Sequence, residues 1–197
     1  MKKFLPLIIV GAIVLIGYFY FKGLNNTAVT LDHDVKESWG NVQTSYQRRN
    51  DLIPNLVEVV KSYAKHEKET LQAVTEARGK VGSIQAGADI VNDPKAFSQF
   101  QEAQASIGNA LSRLLVVVEQ YPDLKANQNF RDLQVQLEGT ENRINVARTR
   151  YNKAVQEFNT SIRIFPNSVT NSILLHLKPK EAFKAEAGAE KAPKVKF

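Results

Sequence analysis

The sequence predicts an all-α protein: an elongated antiparallel bundle of about four long helices, preceded by one N-terminal transmembrane helix. Three observations carry that prediction. From Phe4 to Phe21 eighteen residues pass without a charge. Beyond them apolar side chains recur every three or four positions, the spacing of one helix face. Proline and Asp or Asn residues punctuate this pattern where helices start and stop. Period-two alternation is rare, and Val116 to Val118 lies inside a stronger helical stripe, so no strand competes.

The first element is the membrane helix. Eighteen residues rise about 27 Å in a helix, close to the hydrocarbon thickness of a bilayer. Lys2 and Lys3 before it would equally suit a cleaved signal peptide. Against cleavage, Tyr18, Phe19, Tyr20 and Phe21 put bulk where small residues should stand. Closed by Lys22, they form an interfacial aromatic belt. Residues 1–3 therefore read as a short basic start and 4–22 as an uncleaved signal anchor. Lys2, Lys3 and the terminal amine outweigh Lys22, which alone follows the span before Asp32 and Asp34. The N-terminus is accordingly expected in the cytoplasm and the bundle outside it.

Residues 24–177 form the bundle domain. Its first helix carries Leu31, Val35, Trp39, Val42 and Tyr46. Asn50 and Asp51 then precede Pro54, which lacks a backbone donor and clashes with the carbonyl four residues back. A continuous helix kinked at Pro54, or a new helix capped by Asp51, satisfies that constraint. The stripe resumes through Leu56, Val60, Tyr63, Leu71, Val74, Ala77 and Val81, until Gly79, Gly82 and Gly87 weaken it. Asp93 before Pro94 marks the next start, since Asp caps free amides and proline suits the first helical position. Phe97, Phe100, Ile107, Leu111, Leu114, Val118 and Tyr121 follow, and Pro122 stops the helix. After a loop from Pro122 to Asn127 comes the longest pattern: Phe130, Leu133, Leu137, Thr140, Ile144, Ala147, Tyr151, Ala154, Phe158, Ser161 and Phe165. These alternating steps make a coiled-coil-like seam of roughly 36 residues, about 54 Å long, closed by Pro166. Ser168 to Leu177 reads as a short amphipathic helix that packs on the bundle end or touches membrane. The Lys, Ala, Glu and Pro composition of 178–197 reads as a disordered tail. Each helix has one apolar face, so antiparallel packing around a shared seam is required to bury them.

Charge excludes one function class. Between Leu24 and Leu177 there are 17 Lys plus Arg and 17 Asp plus Glu, so the net charge of +6 resides at the two ends. A basic stripe interleaved with aromatics, the footprint of a nucleic-acid binder, is missing. The chain has no cysteine, which excludes a lipoprotein anchor, a disulfide framework, a thiolate zinc site and a Cys nucleophile.

No motif carries catalysis. His66-Glu67-Lys68-Glu69-Thr70 approaches H-E-x-x-H, but Thr70 stands where the second zinc ligand must be. His66 therefore reads as a surface residue, and a metal-dependent activity around His66 and Glu67 is only the alternative. His33 between Asp32 and Asp34 and His176 in an apolar run read as non-ligating. Asp and Glu lie on polar faces at spacings that pair with Lys or Arg. Nucleophile-elbow, P-loop and dinucleotide fingerprints are absent from the sequence. No cofactor or metal is expected. Trp39, Tyr46, Tyr63, Tyr121 and Tyr151 fall on or beside apolar stripes and are assigned to the core.

Four ordered blocks then acquire meaning together. They are Arg48-Arg49-Asn50-Asp51-Leu52-Ile53-Pro54-Asn55-Leu56-Val57; Tyr63-Ala64-Lys65-His66-Glu67; Tyr121-Pro122-Asp123-Leu124-Lys125-Ala126-Asn127; and Thr140-Glu141-Asn142-Arg143-Ile144 with Ala147-Arg148 and Tyr151-Asn152. They resemble the LemA family over about Leu24 to Phe165, with the tail after Lys178 outside the resemblance. The resemblance implies a bacterial inner- or plasma-membrane protein with one anchor and a long-helix bundle. It supplies no catalytic residue, because no biochemical activity is defined for the family. Arg48, Arg49, Asp51, Pro54, Asn55, His66, Glu67, Tyr121, Pro122, Asp123, Lys125, Asn127, Glu141 and Arg148 either form a partner-binding surface or cap helices and fix the bend. The expected function is a membrane-anchored scaffold or adaptor that binds a protein partner or itself. A small-ligand or metal-binding bundle, or a membrane-remodelling factor, is the alternative.

Overall fold

The computed structural model describes residues 5–84 and 87–184; the basic start and the last 13 residues lie outside it. Among the described residues every regular element is helical. α1 runs unbroken over Leu5–Tyr63, 59 residues, a rod of about 88 Å. Asp51 starts no new helix. Pro54 lies inside α1 and exposes its ring, and the carbonyl it leaves without a helical donor is that of Asn50. Arg78 from the next helix supplies the missing bond, Nε to Asn50 O at 3.2 Å. A tertiary contact thus offsets part of the cost of a mid-helix proline.

Along the apolar stretch of α1, Ile9, Val10, Ile13, Val14, Leu15, Ile16, Tyr18, Phe19 and Tyr20 are all exposed. It is the one stretch among the described residues long and apolar enough to cross a membrane. Burial along α1 starts at Ala28, six residues beyond Lys22.

The stripe expected to run on through Tyr63 to Val81 is broken at residues 64–67, where the chain reverses into α2, Lys68–Gly82. Neither glycine nor proline marks the break. The buried set on either side, Val60, Ala64, Leu71, Val74, Ala77 and Val81, keeps steps of three, four and seven. Periodicity is therefore blind to the turn. A 3₁₀ turn, Ala88–Asn92, buries Ile90 and Val91 ahead of α3, Pro94–Val118. Asp93 caps α3 as its position requires, its Oδ1 accepting from Lys95 N at 2.9 Å and Ala96 N at 3.1 Å. The expected loop after Pro122 is a single helical stretch, α4, Pro122–Ala126, which buries Leu124.

Asn127 caps α5, Gln128–Ser161, by accepting from Phe130 N at 3.0 Å. α5 stops short of Phe165, whose ring is 82% exposed and not in the seam. Past Tyr151 the buried positions are Val155, Phe158 and Ile162, not Ala154, Ser161 and Phe165. Steps of four, three and four follow a straight 3.6-residue helix better than the strict heptad does. A cis Phe165–Pro166 bond leads into α6, Asn167–Thr170, and a π turn, Asn171–Leu175. These two replace the single amphipathic helix expected over 168–177.

α1 packs along α5 and α2 along α3. Arg49 meets Glu141 and Trp39 meets Tyr151, so α1 and α5 run antiparallel. One core holds Ile53, Leu56, Val60, Val74, Ile107, Leu114, Leu124 and Phe130 from all of the first five helices. A second, aromatic core lies nearer the apolar end of α1. There Trp39 touches Phe97, Phe100 and Tyr151 at ring separations of 5.7, 5.2 and 5.4 Å. Tyr46 and Tyr151 are buried as expected, but Tyr63 is exposed and Tyr121 half-buried.

Residues 178–184, expected to open a disordered tail, form an ordered strap on α5. Asn159 bonds the backbone of Lys180 twice, accepting from its N at 2.8 Å and donating to its O at 3.0 Å. Asn152, one heptad earlier, treats Phe183 the same way at 2.9 and 3.0 Å. Two side-chain amides thus stand in for a neighbouring strand. Phe183 is buried against Trp39, Phe97 and Tyr151, and the Lys180 ammonium pairs with Asp32 on α1 and donates to Asn92. Composition points to disorder here; docking is decided by partners elsewhere in the chain.

Candidate functional site

The residues singled out by sequence assemble into three places rather than one. The first is the end of the bundle away from the apolar stretch. Tyr121 Oη donates to Glu67 Oε1 at 2.9 Å, and Asn127 Nδ2 donates to Tyr63 Oη at 2.9 Å. Two bonds therefore tie the α1–α2 turn to the α3–α4–α5 turns. The hydrogen bond to Glu67, then burial, raises the Tyr121 phenol pKa above its usual 10.0. His66, Pro122 and Asp123 are exposed beside this latch, and Lys125 pairs with Glu119. Among the described residues no group of three or more His, Asp or Glu side chains could hold a metal ion.

The second place is mid-bundle. Arg49 is 3% exposed, an uncommon position for a guanidinium. Its Nη1 donates to Glu141 Oε1 at 2.9 Å, and its Nη2 donates to Gln104 Oε1 at 2.6 Å and Gln104 O at 3.1 Å. The guanidinium also lies 5.0 Å from the centre of the Tyr46 ring. Arg49 Nε and Asn50 Oδ1 are the buried polar side-chain atoms without a hydrogen-bond partner among the described residues. Arg48, Asp51 and Asn55 point to solvent, and Asp51 accepts from Gln47 Nε2 at 2.7 Å. Sequence reading missed Gln104. Its signal was a polar residue four positions after Phe100 on the apolar face of α3.

The third place is the strap, where the Arg148 guanidinium lies 4.8 Å from the Phe183 ring centre and donates to Lys184 O at 3.3 Å. Burial, then the nearby Glu181 carboxylate, pushes the Tyr151 phenol pKa well up, and Tyr151 Oη donates to Glu181 O at 2.6 Å. For Asp32, burial alone would raise the carboxyl pKa, but hydrogen bonds and charge from Lys180 and Lys36 outweigh it. The net shift is below the usual 3.8.

The second and third places border one cleft. α3 and α5 share no extended contact among the described residues, and between them opens a cleft of about 850 Å³. Its walls run from Gln101 to Leu115 on α3 and from Gln134 to Arg148 on α5, about 21 Å each. Leu111, Leu115, Leu137 and Ile144 give it apolar patches; Glu102, Glu138 and Glu141 are balanced there by Arg49, Arg148 and Lys184.

These features define a membrane-associated all-helical bundle in which Arg49, Glu67, Tyr121 and Asn127 make bonds between helices. The chain belongs to the LemA family: the model described as LemA family matches residues 38–197. That match includes the tail, which the sequence blocks alone had left outside. Among curated relatives, the magnetosome protein MamQ 2 of Paramagnetospirillum magneticum is 29% identical over 157 residues, 72% of this chain and 58% of the relative. MamQ of Magnetospirillum gryphiswaldense is 27% identical over the same coverage. The protein LemA of Metamycoplasma hominis is 28% identical over 155 residues, 78% of this chain and 67% of the relative. The chain thus spans under two thirds of the length of its magnetosome relatives.

Proposed function

We infer that this protein is a single-pass membrane scaffold or adaptor, in which α1 is both anchor and bundle helix. The observation that carries the reading is the continuity of α1 from its exposed apolar stretch into the buried stripe that begins at Ala28. A load or partner held by the bundle is thereby coupled to the membrane without a flexible linker. The partner surface is the α3–α5 cleft, whose length and mixed apolar and charged lining suit an amphipathic helical segment of a partner or of a second copy. The distal latch and the Arg49 cluster are the framework that holds the cleft open. Relatives described as magnetosome proteins fit a structural role. The charge asymmetry about residues 4–22 supports an orientation with the bundle outside the cytoplasm.

Photocrosslinkers at Asn109, Ser112 and Glu138 in living cells test this. The expected result is one recurrent crosslinked species from all three positions and none from exposed Gln72 on α2. Absence of any crosslink, with strictly monomeric protein, overturns the assignment. Reporter fusions after Lys22 and after Phe197 test the orientation; a cytoplasm-only reporter active at both reverses it.

A further inference from the structure

Between Asn159 and Lys180, which are joined by two hydrogen bonds, the chain makes an excursion of twenty residues at the anchor end of the bundle. Its height on the rod is fixed. Lys180 pairs with Asp32, and residues further toward the C-terminus of α5 lie opposite residues further toward the N-terminus of α1. Asp32 stands ten residues beyond Lys22, roughly 15 Å along the helix. The lobe made by residues 163–177 is therefore rooted at the level of Asp32, between the aromatic core and the end of the apolar stretch.

The lobe is built to hold its shape. Asn171 clasps Leu177, its Nδ2 donating to Leu177 O at 3.1 Å and its Oδ1 accepting from Leu177 N at 2.8 Å, and Asn167 Nδ2 donates to Ser161 O at 3.0 Å. Yet it turns apolar side chains outward: Phe165 is 82% exposed, Ile173 64%, Leu174 59%, Ile164 51% and Val169 48%. From Arg163 to Lys178 no acidic residue occurs, and those two cations flank the segment. An ordered, apolar, acid-free element set beside a membrane-crossing helix has the composition of an interfacial segment facing anionic headgroups.

We propose that this lobe is a membrane-docking element: Ile164, Phe165, Val169, Ile173 and Leu174 enter the boundary between headgroups and acyl chains of the leaflet from which α1 emerges. The inference rests on the anchor reading. It goes beyond it by giving the bundle a second attachment, which fixes the tilt and rotation of the rod that a single helix leaves free. The partner is the lipid surface itself, continuous with the bilayer around residues 4–22.

The chain lacks cysteine, so single spin labels can be placed without background. Full-length Ile13→Cys, Ile173→Cys, Leu174→Cys and Val135→Cys are labelled and reconstituted, one chain per nanodisc of phosphatidylethanolamine and phosphatidylglycerol. Collision with lipid-soluble oxygen and with a water-soluble nickel chelate gives depth. The expected result is deep immersion at residue 13, shallow immersion of about 5–10 Å at 173 and 174, and full aqueous exposure at 135. Immersion at 13 with 173 and 174 as aqueous as 135 overturns the docking element and leaves the anchor standing. Labels at 173 and 174 shielded from both colliders mean cover by protein and also overturn it. Aqueous exposure at 13 removes the anchor reading and this inference with it.

Discussion

Replacing Arg49 isolates what the buried guanidinium contributes. Arg49→Ala leaves Gln104 Oε1, on a side chain only 4% exposed, without its donor at 2.6 Å; an orphaned buried acceptor costs about 1–3 kcal/mol. Loss of the aliphatic stem against Tyr46 and the core costs roughly another 1–2 kcal/mol. Glu141 contributes less, because its side chain is 44% exposed and rehydrates through the open cleft. The expected loss is about 3 kcal/mol for Arg49→Ala and under about 1 kcal/mol for Glu141→Gln, whose amide oxygen still accepts from Nη1. The chain has one tryptophan, Trp39, fully buried, so its emission during urea titration of the full chain in mild detergent reports the core directly. High salt should leave the Arg49→Ala deficit nearly unchanged. Equal losses for the two variants, or a deficit that vanishes in salt, would show that charge pairing rather than hydrogen bonding to Gln104 holds Arg49, and would refute the reasoning.

Phe183→Ala should cost about 3 kcal/mol and shift Trp39 emission to the red, since the ring covers Trp39; an unshifted spectrum would mean that the strap does not shield the core. Asp93→Ala should cost about 1 kcal/mol by freeing the Lys95 and Ala96 amides, whereas Asp93→Asn stays near wild type in the same titration. The Asp32 carboxyl pKa is lowered below 3.8 in the fold, so the stability it gives is fully present above pH 3.8 and is lost as pH falls through the lowered value. Amide exchange at residues 180–183 should therefore quicken below that pH, and Asp32→Asn should abolish that acid dependence. Arg78→Ala should speed exchange around Pro54, because the Asn50 carbonyl loses its substitute donor.

Local sequence was enough to show that the protein is helical, where the apolar stretch lies, where α3 and α5 begin, and that Trp39, Tyr46, Phe97, Phe100 and Tyr151 are core, although it misassigned Tyr63 and Phe165 and missed Phe183. Each of these follows from information within a few residues: an uncharged run, an Asp-Pro or Asn cap, a spacing of three or four. The resemblance blocks also located the latch residues, although not that Tyr63 meets Asn127 and Glu67 meets Tyr121, because those pairs are more than fifty residues apart. That α1 passes through Pro54 depends on long-range packing, since the compensating donor comes from Arg78 on another helix. Only the tertiary structure placed the reversal at residues 64–67, where buried spacing continues through the turn unchanged. It alone ordered residues 178–184, whose own composition lacks the means to fold until Asn152, Asn159 and the Trp39 cluster receive them. A short-range pattern specifies an element; what a polar or proline residue does within it depends on which distant group satisfies it.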